Sequence, residues 1–438
     1  MIINTEQEVF PNYNSIKIAI WLYFFLWIFE GALRKWILPS LATPLLVVRD
    51  PIAIYIILRV FYLNIKFINP YVVISLIFTL LSLAITLTFG HGNLFVGLYG
   101  ARIMLIHFPL IFIIGAVFTK DDILKMGRAF LGINILVTLI VYFQYISPQS
   151  AFVNIGIGGE GSAGFAGSMG YFRPSGTFSF ISGLANFYTG VSVFVFYFWL
   201  SKDSCSKILL YISTIALVVG LPLTISRGAV AAVIIVGLFA IIASVTTGKQ
   251  VFRLIFISVV FCFVIFILQK YLTIFNVGTE VFLDRVESAN LQAGSGGLKD
   301  SILLRALNET FGPIGDLLSQ PLFSGNLGMG TNAGAQMLTG KTNFMISEME
   351  SGRLIGEQGV IFGGGLIFLR MLFAIRLAIK SFKLPQEAKL LPFIICGAAC
   401  ITLFLGQWAQ PSILGYAIII SGLVIASFKK DVSPLKSI

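Results

Sequence analysis

Repeated apolar runs of about 20 residues restrict the folds open to this sequence more than any other feature does. A helix of that length crosses roughly 30 Å of hydrocarbon and satisfies its backbone hydrogen bonds internally. The chain is 57% hydrophobic and only 11% charged, whereas soluble domains are roughly 25% charged. The short alternating segments of a transmembrane barrel are absent. The sequence therefore predicts an all-α, polytopic integral membrane protein.

Twelve apolar runs qualify as candidate spans, and one long polar stretch separates the ninth from the tenth. The first run is expected to be a retained helix, since no small-residue cleavage pattern follows it. The predicted organisation is nine transmembrane helices in 1–269, a large extracytoplasmic loop in 270–357 and three helices in 358–438. The candidate spans lie near 14–32, 45–64, 70–89, 101–118, 129–146, 180–200, 208–225, 228–246, 253–270, 356–376, 389–406 and 411–428.

The distribution of basic residues predicts the orientation of these spans. Lysines of the short loops, such as Lys120 and Lys202, are expected on the cytoplasmic side, which places both termini there and the long polar stretch outside. The inner side then has thirteen lysines and five arginines, and the outer side four lysines and eight arginines. Because a guanidinium binds phosphate bidentately, the outer excess of arginine predicts recognition of a phosphate or other acidic group. Pairing with carboxylates or snorkelling to lipid headgroups is the alternative for any single arginine.

Several other kinds of site are disfavoured. The four cysteines lie in a short loop or inside apolar runs, so no disulfide framework is expected in the polar stretch. His91 and His107 belong to no ligand cluster, and neither a metal nor another cofactor is expected. No soluble segment combines a basic stretch with aromatic residues, which argues against nucleic acid as a partner.

Two connections on the predicted outer side carry arginines. The connection between the fifth and sixth spans has eight glycines from Gly156 to Gly176 and contains Arg173; it is either a flexible lid or a plain loop. The connection between the seventh and eighth spans is so short that Arg227 is held at the membrane edge, followed by small residues. Contact with a lipid headgroup is the alternative for Arg227.

Acidic and basic side chains also meet at the end of the long polar stretch, which holds nine of the nineteen carboxylates. Glu350, Arg353 and Glu357 have i,i+3 and i,i+4 spacing and share one face if the segment is helical. They form either a surface salt-bridge ladder or a site in which a carboxylate acts as general base and Arg353 holds an anion. Earlier in the stretch, 280–293 and 300–318 have partial helical periodicity.

The order of these features resembles the bacterial O-antigen polymerase and O-antigen ligase superfamily. The resemblance covers most of the chain from about Arg102 onward, and its motifs are short. They are an arginine before Gly-Thr-Phe (Arg173 to Phe178), a Ser-Arg-Gly-Ala turn (Ser226 to Ala229) and an acid, an arginine and Glu-x-Gly after the large loop (Glu350, Arg353, Glu357 and Gly359).

The resemblance implies a glycosyltransferase of the bacterial cytoplasmic membrane, with its active site facing the periplasm or exterior. Its substrates would be oligosaccharide repeats linked to undecaprenyl pyrophosphate, as donor and acceptor, and other polysaccharide assembly and export proteins could be partners. Ligases of this family usually carry a functional histidine in the large loop, and none lies in 270–357, which favours a polymerase. The implied substrate-binding residues are Arg102, Arg173, Arg227, Arg353 and Glu357, and the implied catalytic acids are Glu350 and Glu348.

A ligase, or a transporter or flippase of an anionic lipid-linked glycan, is the alternative. A transporter should place ionisable groups near the middle of the membrane and commonly has repeated halves. Here the charges cluster at the predicted outer edge, and the one large loop has no counterpart in the other half. A non-catalytic scaffold is a third class.

Overall fold

Fourteen α-helices make up most of the part of the chain that the structure, a computed structural model, describes. The described residues are 13–159, 161, 165–244, 252, 263, 267, 269–271, 273–292, 319–340 and 345–429. The helices are α1 Asn14–Ala32, α2 Asp50–Tyr62, α3 Pro70–Thr88, α4 Leu94–Arg102, α5 Phe108–Val117, α6 Lys120–Ile146, α7 Ile181–Leu200, α8 Lys207–Leu223, α9 Arg227–Ser244, α10 Thr273–Gln292, α11 Asn332–Thr339, α12 Glu350–Phe382, α13 Gln386–Leu405 and α14 Pro411–Ser427.

Eight helical segments in this part of the chain are long and apolar enough to cross a membrane. They are α1 with its extension to Ile37, α3, α4 joined to α5, α6, α7, α9, α12 and α13. The prediction of an all-α protein with several membrane-spanning helices is confirmed at this level. The count of twelve spans is not confirmed.

Individual predicted spans differ from the structure for local reasons. The predicted span 45–64 contains only the 13-residue α2, preceded by 3-10 turns, because Asp50 and Pro51 suit the first turn of a helix better than the middle of one. The predicted spans 208–225 and 411–428 correspond to α8 and α14, each 17 residues long. The predicted span 253–270 lies mostly outside the described residues.

The predicted large loop is described only in part. It contains α10, which covers 280–292 of the expected helical segment, and the short helix α11. The other expected helical segment, 300–318, lies outside the described residues. The prediction of one large extracytoplasmic loop is therefore not confirmed.

Two π-helical turns extend helices toward polar groups. Leu33–Ile37 continues α1, and Ile103–His107 joins α4 to α5. A π-turn inserts one extra residue per turn and is frequent at functional sites. Here the two turns carry Arg34, Lys35 and His107, all of which are buried.

The core is built around α14, which is buried along almost its whole length. It packs against α5 and α13 and also contacts α1, α6 and α7. Beside it, the Trp27 ring meets the rings of Phe178 and Tyr416 with centroids 5.6 Å away in each case. The indole N–H of Trp27 donates to the Ser412 carbonyl at 2.7 Å. This hydrogen bond fixes the large side chain between α1 and α14.

A different polar contact of α1 lies at each end of the bundle. At the start of α1, the Lys17 ammonium lies 2.6 Å from the Asp122 carboxylate. At the opposite end of α1, the Lys35 ammonium donates to the Ser175 hydroxyl at 3.1 Å. The end with Lys35, called the α1-terminal end below, is the one predicted to face outward. Which end faces the cytoplasm stays a prediction.

A glycine-rich loop, 325–331, lies directly on the backbone of α3 and α4 at this end. A Cβ at Gly328 would lie 2.1 Å from the Val96 carbonyl oxygen, and the φ of Gly328 is +91°. Gly90 and Gly325 likewise meet backbone to backbone. Such close approach requires residues without a side chain.

Gly328→Ala is expected to lower the free energy of unfolding by at least about 1–2 kcal/mol, the cost of a left-handed conformation for an L-residue. The steric clash of the new Cβ with the Val96 carbonyl should lower the free energy of unfolding further. Gly132→Ala is the matched control, because a Cβ there meets nothing within 4 Å and alanine favours the helix. Thermal unfolding in detergent measures both. Equal midpoints for the two variants would contradict the described position of this loop.

Candidate functional site

A short β-hairpin at the α1-terminal end carries Arg173. Its strands are β1 Phe165–Ala166 and β2 Phe172–Arg173, and they pair antiparallel with Phe165 opposite Arg173. The turn between them places Met169 at φ +50° and Gly170 at φ +79°. Left-handed conformations at both central residues are what a tight two-residue hairpin turn requires. This part of the glycine-rich connection is therefore a β-hairpin with a defined turn.

Arg227 is the first residue of α9, and a strained turn positions it. Ile225 in this turn has φ +48°, which is rare for a β-branched residue, and such strain clusters at functional sites. The Ser226 hydroxyl accepts from the Ala229 N–H at 3.3 Å and caps the helix. A cation at the start of a helix faces the positive end of the helix dipole, so this position favours an anion close by.

Arg173 and Arg227 lie close enough to influence each other, and Arg285 of α10 joins them. Burial, together with the positive charges of Arg285 and Arg227, lowers the pKa of Arg173 to about 10. The Nε atom of Arg173 is buried and has no hydrogen-bond partner within the described ranges. A short hydrogen bond from Ser168 to Asp284 ties the hairpin to α10. These three arginines, called the arginine cluster below, form a site that an anion would stabilise.

The sequence predicted two members of the arginine cluster and did not single out the third. Arg173 and Arg227 both end connections on the same predicted side of the membrane. Arg285 was counted among the outer arginines, but it lies in the long polar stretch, where spacing alone does not indicate which residues approach the bundle. Its position in a segment of helical periodicity is the only local signal.

The expected acidic and basic face of α12 exists, but it is buried. Exposed fractions are 6% for Glu350, 1% for Arg353 and 0% for Glu357. Arg353 pairs with both acids, so the predicted salt-bridge ladder is present but does not lie on the surface. The loop 325–331 and the turn before α14 cover this face: the Gly330 N–H donates to Glu357 at 2.8 Å and the Trp408 N–H to Glu350 at 3.2 Å.

Each of the three nitrogens of the Arg353 guanidinium donates to a carboxylate. Its Nε and Nη2 donate to Glu350 at 2.9 and 3.0 Å, and its Nη1 donates to Glu357 at 2.6 Å. Arg370, twenty residues further along the chain, makes a second short ion pair with Glu350. An anion at Arg353 would have to displace one of these carboxylates. Glu348, in contrast, is exposed.

Arg102 belongs to a third group of polar residues. It donates to the Asp50 carboxylate at 2.7 Å, and Nε2 of His107 lies 2.9 Å from the same oxygen. The other ring nitrogen of His107 lies 2.9 Å from the Tyr23 hydroxyl. These contacts place Arg102 in a buried network of α1, α2 and α4. The described contacts of Arg102 and Arg353 do not include any member of the arginine cluster.

A cavity of about 570 Å³ opens at the α1-terminal end, and its lining includes neither Arg102 nor Arg353 nor a member of the arginine cluster. Its wall is formed by the end of α1, the hairpin region, the first turns of α11 and the turn before α14. Among the lining residues are Glu30, Arg34, Phe165, Gly330 and Gln336. Neither Glu348 nor Glu350 lines the cavity. The described residues contain no group of three or more histidine, cysteine or acidic side chains suited to a metal ion.

Comparison of the chain with models of protein families, with curated proteins and with solved structures gives no match. Membership of the O-antigen polymerase and ligase superfamily therefore stays a prediction that depends on the motifs and the order of the helices.

Inorganic pyrophosphate is expected to raise the thermal unfolding midpoint, because a ligand that binds only the folded state stabilises it by about 2.7 kcal/mol at 100 times its Kd. Arg285→Gln should remove this shift. Without pyrophosphate, Arg285→Gln should not lower the midpoint, since the substitution removes repulsion from Arg173 and Arg227. Chloride at equal ionic strength is the control for non-specific screening. An unchanged pyrophosphate shift in Arg285→Gln would contradict an anion site at the cluster.

Proposed function

We propose that this protein is a membrane glycosyltransferase that polymerises oligosaccharide repeats linked to undecaprenyl pyrophosphate. The position of Arg173 in the arginine cluster carries the proposal: its buried Nε has no hydrogen-bond partner among the described residues, and it pairs across the hairpin with Phe165, which lines the 570 Å³ cavity. Pyrophosphate needs several cationic donors, and a glycan needs a polar cavity next to them. The lipid, the bacterial cytoplasmic membrane and the outward-facing site are part of the proposal through the family resemblance.

The reaction needs charge stabilisation at the leaving group. An acceptor hydroxyl attacks the anomeric carbon of the donor glycan, the bond from that carbon to the pyrophosphate oxygen breaks, and the lipid pyrophosphate leaves with the electron pair. Arg173, Arg227 and Arg285 would stabilise the charge that develops on it. Preorganised guanidinium groups of this kind act in a partly buried site, where electrostatic interactions are stronger than in water.

The residues of the buried α12 face would support this site from a distance. Glu350 and Glu357 hold Arg353 between α12, the loop 325–331 and the turn before α14. We therefore propose that they position the loop and turn that line the cavity. Glu348 is exposed and stays a candidate for orienting or deprotonating the acceptor, although it does not line the cavity.

Incubation of the purified chain in nanodiscs with the lipid-pyrophosphate-linked repeat from its own host tests the function. A ladder of longer lipid-linked products, resolved by gel or mass spectrometry, is the expected result. Transfer of the glycan only to a different acceptor lipid would indicate a ligase. Movement of the lipid-linked repeat across a vesicle membrane without any ladder would overturn the proposal in favour of transport.

A further inference from the structure

Glu30, at the end of α1, is a buried acidic residue that lines the cavity. Its Oε1 accepts from Nη1 of Arg34 at 3.2 Å, whereas its Oε2 lies 3.8 Å from Nη2 of Arg49, too far for a hydrogen bond. No residue that the structure describes donates a hydrogen bond to this second oxygen. A carboxylate offers about four acceptor positions. Glu30 can therefore accept a hydrogen bond from a group inside the cavity.

The surroundings hold this carboxylate in place. The Nε of Arg34 donates to the Ala42 carbonyl at 2.7 Å, and its Nη1 donates to the Ser179 hydroxyl at 2.9 Å. Arg34 is thus fixed on both sides, and it fixes Glu30 in turn. An ionisable residue inside a membrane-spanning segment is costly to bury and is a functional candidate by default.

The rest of the wall suits a sugar. Phe165 and Phe180 line the cavity with their ring centroids 4.5 Å apart in an edge-to-face arrangement, and the exposed Phe165 offers a flat apolar surface. Across the cavity, Asn332 and Gln336 are exposed one helical turn apart on α11, so both amides lie on one face. Pyranose rings have an apolar C–H face and a rim of hydroxyls. Flat apolar surfaces can pack against the C–H face, and amide and carboxylate groups can hydrogen-bond to the hydroxyls.

The hairpin connects this cavity with the arginine cluster. Phe165 lines the cavity, and it is the cross-strand partner of Arg173. Directly opposite residues of an antiparallel pair have side chains on the same face, with Cβ atoms about 4.5–5.5 Å apart. A ligand that contacts Phe165 in the cavity would therefore lie close to an anion bound at Arg173.

We infer that the cavity binds the acceptor sugar and that Glu30 is the general base of the transfer. This inference rests on the proposed polymerase activity. The acceptor hydroxyl oxygen forms the new bond to the anomeric carbon, and its proton passes to Oε2 of Glu30. The pyrophosphate leaves on the lipid with the electron pair of the broken bond. Glu30 then releases the proton to water.

Glu30→Gln tests the base, because glutamine keeps the size of the side chain but does not take up a proton. In nanodiscs, elongation of the host's lipid-linked repeat should fall by about 10²-fold or more, and the dependence of the remaining rate on pH should change. Binding of undecaprenyl pyrophosphate without sugar should be unchanged. Asp121→Asn is the matched control, since Asp121 is exposed and its helix α6 begins at the opposite end of the bundle. Elongation by Glu30→Gln at the rate of the unmodified chain would overturn the role of Glu30.

A second variant separates loss of the base from loss of folding. Asn332→Trp places a large side chain at the cavity wall. Because Asn332 is exposed, the fold should persist, whereas the Michaelis constant for the acceptor should rise because the indole occupies part of the cavity. The free oligosaccharide released from the lipid by mild acid provides a binding readout by saturation-transfer NMR. Oligosaccharide binding that is present in the unmodified protein and lost in Asn332→Trp supports the sugar site. If such binding is seen but no glycan is elongated, only the proposed polymerase activity fails. Equal signals from both proteins, or none from either, would overturn the sugar site.

Discussion

Arg227→Ala is expected to reduce glycan elongation by about 10²- to 10³-fold, the loss typical of removing one preorganised donor to a developing negative charge. Arg227 begins α9 after a strained turn, and its positive charge acts on Arg173. Arg227→Lys keeps the charge but loses the planar fork, so its activity should lie between those of alanine and arginine.

The rate is measured as growth of the product ladder at saturating lipid-linked repeat, with equal amounts of folded protein. Arg376→Ala is the matched control, because Arg376 is an exposed arginine of α12 outside the cluster. Normal product length and rate in Arg227→Ala would remove this arginine from the mechanism. Equal losses in Arg227→Ala and Arg376→Ala would point to a general effect of net charge.

Glu350→Ala is expected to lower the free energy of unfolding by about 3–5 kcal/mol, as for other buried ion pairs that lose one partner. Two buried guanidiniums, those of Arg353 and Arg370, would lose their shared carboxylate. The Trp408 N–H would also lose its acceptor. The effect should therefore be among the largest that a single substitution causes in this chain.

Unfolding by heat in detergent measures this loss. Glu348→Ala is the matched control, because Glu348 is two residues away and exposed, and surface substitutions usually stay within about 0.5 kcal/mol. A double substitution, Glu350→Leu with Arg370→Met, should recover part of the loss, since it removes one of the uncompensated charges. If Glu350→Ala unfolds at the midpoint of the unmodified chain, the buried network does not hold α12 in place.

Most helices could be predicted from the sequence, because an apolar run of sufficient length has few alternatives in a membrane. The exception among the described residues is 45–64, where apolar residues on both sides of Asp50 and Pro51 predict one span, although this pair favours the start of a helix. The i,i+3 and i,i+4 spacing of Glu350, Arg353 and Glu357 correctly indicated one helix face. Spacing does not reveal what packs on that face, so their burial was not predictable.

The candidate site was less accessible to sequence reasoning than the helices. The sequence analysis did not single out Glu30, although a carboxylate between Phe29 and the arginine at position 34 is itself a signal. The cavity that Glu30 and Gln336 both line depends on the loop 325–331 folding back onto α3 and α4, a contact between residues far apart in the sequence. Arg370 was overlooked because its partner Glu350 lies twenty positions away.

The burial of α14 on all sides has a consequence for biogenesis. Helices α1, α5, α6, α7 and α13 all contact α14, and each is synthesised before it. Until α14 packs among them, the surfaces that will enclose it must contact other groups or one another. The bundle can therefore acquire its final packing only after residue 427 has left the ribosome, and shorter translation products would lack the helix that holds the others together.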